Sequence, residues 1–126
     1  MNKNICIMKI ESINDAIDIF ENAAIKHKLY SDDGNYKKAN KEHEKIIKAL
    51  NFLYNNKNME QLLPLLNKTE ESVKEWAATY LLPEYEDISL EVLRGIKTLT
   101  AETIVKEWEK GRLDLSLVYR SDNTSN

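Results

Sequence analysis

Two prolines and three glycines in 126 residues leave few places for tight turns. That scarcity argues against a sandwich or barrel, which needs a turn every roughly eight to twelve residues. A single cysteine, Cys6, excludes an internal disulfide or a thiolate metal cluster, which fits a reducing compartment. Long apolar runs are missing too. Ile5-Cys6-Ile7-Met8 is cut short by Lys9 and Glu11, so neither a signal-peptide core nor a membrane span is expected, and the cytoplasm is the expected location. There is no glycine-rich phosphate loop, and no serine, threonine or cysteine nucleophile has a convincing base. No catalytic group, metal or cofactor is implied, and the chain is expected not to be an enzyme.

Hydrophobic residues make up 42% of the chain and charged residues 31%, the balance of a bundle of amphipathic helices. A length of 126 residues suits one domain. We expect a single all-α domain over 1–120, made of a helical hairpin (12–56) and stacked helices (58–111), with a polar, disordered tail at 121–126.

Periodicity locates the helices. Ile13, Ala16, Ile17, Phe20, Ala23, Ala24, His27 and Tyr30 recur at spacings of three and four, predicting a first helix with Ser12 as its N-cap. Ser31-Asp32-Asp33-Gly34-Asn35 then supplies a turn. Tyr36, Ala39, His43, Ile46, Ile47, Leu50, Leu53 and Tyr54 mark the face of a second helix, which the short link makes an antiparallel partner of the first. Met59–Leu66 predicts a short or kinked helix around Pro64.

Thr69 is the expected cap of the next helix, which Pro83 ends. On a helical wheel Val73, Trp76, Ala77, Tyr80 and Leu81 cover one arc and Ala78 and Leu82 the far side, leaving Glu75 and Thr79 as a thin polar strip. A helix apolar nearly all round belongs at the centre of its half of the molecule. Two more helices are predicted, over 87–99 and 101–110, with Gly111 as the C-terminal cap. Leu113, Leu115 and Leu117 predict an extended stretch packing back on the bundle.

Two segments carry a resemblance. Leu62-Leu63-Pro64-Leu65-Leu66 through Val73-Lys74-Glu75-Trp76-Ala77-Ala78, and Val105-Lys106-Glu107-Trp108-Glu109-Lys110-Gly111, look like helix pairs of a HEAT-type repeat. Through Gly34-Asn35-Tyr36, Ala39-Asn40-Lys41, Trp76-Ala77-Ala78 and Glu107-Trp108 with Gly111, roughly residues 15–115 resemble a small bacterial family known as domain of unknown function 2019. Lys74 stands where such helices often carry arginine. The resemblance implies HEAT-like helix pairs and no particular chemistry; HEAT-like proteins mostly serve as binding scaffolds, and a few helical-repeat relatives are DNA repair glycosylases.

Charge is unevenly distributed. Eight carboxylates and two lysines in residues 58–91 give that stretch a net charge of −6, with Glu84, Glu86, Asp87 and Glu91 the expected contact surface for a basic protein partner, of the kind an immunity protein offers to a toxin. Lys37, Lys38, Lys41, Lys45 and Lys48 form the opposite pole along the second helix. Lys37, Lys41, Lys45 and Lys48 are the alternative site, an anionic-ligand face that a helical-repeat nucleic-acid-binding protein or enzyme would use. That face lacks arginines and interleaved aromatics, and the overall net charge of −3 also points away from nucleic acid. His27 and His43 fall at the hairpin seam, one helical turn apart, with no inward carboxylate expected beside them. Trp76 and Trp108 lie on apolar arcs and are expected to pack inward.

Overall fold

The computed structural model describes residues 9–119; the apolar start at 1–8 and the expected tail at 121–126 lie outside them. The chain is all-α, and no strand occurs among the described residues. It divides after Asn58 into two compact units.

The first unit is an antiparallel pair, α1 (Ile13–Asp32) and α2 (Tyr36–Asn55). Ser12 opens α1 by accepting the Asp15 N–H at 3.1 Å, while the Asp15 carboxylate accepts from the Glu11 N–H. Gly34, at φ 76°, ends it: its N–H donates to the Ser31 carbonyl and that of Asn35 to the Tyr30 carbonyl, the two bonds of a Schellman closure. Asn35 works twice, because its side chain also accepts from the Lys38 N–H and so caps α2. One residue thus closes the first helix and opens the second.

Ala16, Phe20, Ala23 and Ala24 of α1 are buried, with Ala39, Glu42, Ile46, Ala49, Leu50 and Leu53 of α2. On α2 the buried positions 39, 42, 46, 49 and 53 alternate by three and four, the spacing of a coiled-coil seam. Tyr36, expected on the buried face, is 67% exposed. It is the first residue of α2, and Cα–Cβ bonds tilt toward a helix N-terminus, so its ring projects past the end of the hairpin.

The C-terminal end of α2 repeats the Schellman pattern without glycine. Lys57 sits at φ 59°, with its N–H bonded to the Tyr54 carbonyl and that of Asn58 to the Leu53 carbonyl. A side chain with Cβ in this region costs about 1–2 kcal/mol. Lys57→Gly should therefore stabilise the chain by about 0.5–1 kcal/mol, part of the relief being offset by the greater freedom of glycine when unfolded. Urea unfolding should show a higher midpoint at unchanged slope; a lower midpoint would remove the strain argument.

The second unit begins with a 3-10 helix over Met59–Asn67, where a short or kinked α-helix was expected. The reason is a period of three: at three residues per turn Met59, Leu62 and Leu65 stack in one column, and all three are buried. Next come α3 (Glu71–Leu81), α4 (Glu86–Gly95) and α5 (Leu99–Glu109). α3 packs against both the 3-10 helix and α4, and α4 against α5. The N-cap of α3 is Glu70, not Thr69, and no side chain bonds there.

As its composition requires, α3 is buried nearly all round: Val73, Ala77, Ala78, Tyr80 and Leu81 are inside. Even Thr79 of the polar strip is buried, its hydroxyl donating to the Glu75 carbonyl at 2.7 Å. α4 ends at Gly95, before the expected 99, and Leu99 instead begins α5, one residue after the cap Thr98, whose hydroxyl accepts from the Ala101 N–H. Gly111, at φ 71°, closes α5 as expected. Beyond it Leu115 and Val118 pack inward while Leu117 stays exposed, and the Tyr119 hydroxyl donates to the Tyr80 carbonyl.

Candidate functional site

Three groups of side chains were singled out by charge and chemistry, and the fold treats them differently. The acidic group surrounds the start of α4. Ser89 and Leu93 define the buried side of this helix, which leaves Asp87 and Glu91, one turn apart, on the outward side together with the 44% exposed Ile88. Glu84 is exposed in the link just before. Glu86 is differently placed, since its carboxylate accepts the Trp108 indole N–H at 2.8 Å, tying α4 to α5.

Trp108 is accordingly half-buried with its polar edge satisfied, and Trp76 is half-buried in a near-parallel stack on Tyr80, ring centres 6.2 Å apart. Burial and the nearby Asp114 carboxylate raise the Tyr80 hydroxyl above the usual tyrosine range.

Two arginines of this unit are paired with other carboxylates. Arg94 pairs with Glu109 at 2.6 Å and Arg112 with Glu107 at 3.0 Å. Glu84, Asp87 and Glu91 form no ion pair among the described residues.

The lysine group is reduced by the fold. Lys45 does not face outward with the rest: it leans across the α2 surface and donates to Glu42 at 3.2 Å. Lys38 lies over the Tyr30 ring, 5.5 Å from its centre. Lys37, Lys41 and Lys48 remain as an exposed column opposite the buried seam, with Glu44 also exposed between them. Three lysines interrupted by a carboxylate make a poor track for a phosphate backbone.

The histidines do meet. The ring centres of His27 on α1 and His43 on α2 are 6.3 Å apart and tilted by 48°. Beside them stands a carboxylate that the sequence reading missed: Glu42 is only 7% exposed, at one of the seam positions of α2. The available signal was the spacing 39, 42, 46, 49, 53, obscured because Glu42 adjoins the lysine face. Burial is the main force lowering the His27 pKa; the positive charge of His43 adds to it, and the Glu42 carboxylate acts against it. Among the described residues no three histidine, cysteine, aspartate or glutamate side chains are grouped to hold a metal ion.

No helix among the described residues is long and apolar enough to cross a membrane. Comparison of the chain with protein-family models, curated proteins and solved structures gives no match.

Proposed function

We propose that the chain is a non-enzymatic protein-interaction module, a HEAT-like helical scaffold that holds a basic protein partner through the outward side of α4. The observation that carries this reading is the exposed trio Glu84, Asp87 and Glu91, which form no ion pair among the described residues, in a unit whose Arg94 and Arg112 pair with other carboxylates. Ile88, exposed between Asp87 and Glu91, adds an apolar contact that charge alone would lack. Exposed carboxylates in this arrangement accelerate encounter with a basic surface and repel acidic ones. An immunity-type role, masking a basic toxin such as a nuclease, fits that chemistry. Glu86 belongs to the fold of the unit more than to its contact surface, because its carboxylate is occupied by Trp108.

The test is replacement of Glu84, Asp87 and Glu91 together by lysine, with capture of the partner from the native cell as the readout. Each exposed pair contributes about 0.2–1 kcal/mol, and reversal replaces attraction by repulsion. The triple variant should thus bind about 100-fold more weakly, and the parent's binding should weaken with added salt. Retention of the same partner at unchanged strength by the triple variant would remove this surface from consideration. Charge reversal at Lys37, Lys41 and Lys48 should leave binding intact.

A further inference from the structure

We propose that the α1/α2 seam is a pH-sensitive latch, closed near neutral pH and loosened below about pH 6, in which His27, His43 and Glu42 take part. It starts from an anomaly of packing. Position 42 belongs to the row that also contains Ala39, Ile46, Ala49 and Leu53, where an apolar side chain would serve stability best, yet a glutamate fills it. A buried carboxylate needs compensation, and Lys45 supplies it from the next turn at 3.2 Å.

The charged and titratable groups around the two imidazoles can be named element by element. From α2 come His43 itself, Glu42, Lys45 through its bond to Glu42, and Lys38 over the Tyr30 ring. From α1 come His27 and, six residues earlier and so about 9 Å along the axis, the half-buried Glu21. Glu42 is paired with Lys45, and burial favours the neutral form of His27. Protonating both places two positive charges at 6.3 Å beside a carboxylate already shared with a lysine.

Direction follows from linkage. His27 releases its proton more readily in the folded chain than in the unfolded one, so the unfolded chain binds more protons below the ordinary imidazole range. Its contribution to stability is complete above about pH 6.5 and is lost as pH falls from there toward the lowered value. The effect is confined to one unit, because His27 and His43 are the only histidines in the chain. The 3-10 helix and α3 to α5 have none.

Amide hydrogen exchange of the full chain at pH 7.5 and 5.5, corrected for the intrinsic pH dependence of exchange, tests the latch. Protection in α1 and α2 should fall at the lower pH, by up to about 10-fold for one imidazole, while protection in α3 to α5 holds. The double variant His27→Gln, His43→Gln should lose that fall. Glu42→Gln should enlarge it, since the carboxylate that favours the His27 proton is gone. Equal protection of α1 and α2 at both pH values, or a fall that persists in the double variant, overturns the proposal. NMR titration of the two imidazoles in the unaltered chain needs no variant to fold: a His27 midpoint below 6.5 supports the latch, and one at or above 6.5 defeats it.

Discussion

Phe20→Ala should remove about 3–5 kcal/mol from the α1/α2 hairpin. Phe20 is fully buried and is the one aromatic ring among the buried side chains of α1; the others, Ala16, Ala23 and Ala24, are all alanine. The buried side of α2 carries Ile46, Leu50 and Leu53 together with Ala39 and Ala49, so the α1/α2 core combines one large ring with small and branched side chains. Truncation leaves a void that neighbouring alanines cannot fill, which places the loss at the upper end of the range. A unit of this size has a total stability of roughly 3–9 kcal/mol, so the variant hairpin should be close to unfolded at room temperature. Loss of protected α1 and α2 amides in hydrogen exchange checks it; Ile25→Ala, on the exposed side of α1, should cost well under about 1 kcal/mol and serves as the control.

The second large effect concerns α3. Ala78→Asp should destabilise the second unit by about 4 kcal/mol or more, because Ala78 is fully buried on the side of α3 that a merely amphipathic helix would turn to water. A carboxylate there must either ionise without a partner or remain protonated and unbonded, and both are costly. Denaturant unfolding, followed by the fluorescence of Trp76 in its stack on Tyr80, reads the change directly. Ala78→Ser, with a hydroxyl that can bond back to the helix, should lose far less. A loss under about 1 kcal/mol in the aspartate variant would mean that α3 is not the central element of its unit.

Most of the fold was legible in the sequence because its helices are strongly periodic and their punctuation is local. Ser12, Gly34 and Gly111 act where their chemistry placed them. The misses have specific physical causes. Helical periodicity cannot report that side chains at a helix start project backward, so Tyr36 read as buried; Leu99, first in α5 and 79% exposed, obeys the same geometry. The 3-10 helix was missed because Met59, Leu62 and Leu65 satisfy a period of three as well as part of a period of 3.6 over so short a run. Val118 lies beyond the Leu113, Leu115, Leu117 alternation and is the buried residue that alternation did not mark.

At the candidate sites, charge was readable and pairing was not. Asp87 and Glu91 share an exposed side as their spacing requires, but the engagement of Glu86 by Trp108 joins residues 22 apart in sequence. The same holds for Lys45: a wheel assigns it to the basic face, while its long flexible stem lets the ammonium reach the Glu42 carboxylate one turn back. Glu42 itself would have been found only by allowing a charged residue into the seam.

The bond between the Tyr119 hydroxyl and the Tyr80 carbonyl also has a consequence in time. The principal contacts of this chain join consecutive elements, so α1 and α2 can pair as soon as both have been synthesised, at little loop-closure cost. α3 cannot be finished so early. Its last turn gains the Tyr119 hydroxyl only after 39 further residues have been added. During translation the hairpin is therefore complete while the second unit still lacks the residue that fastens it.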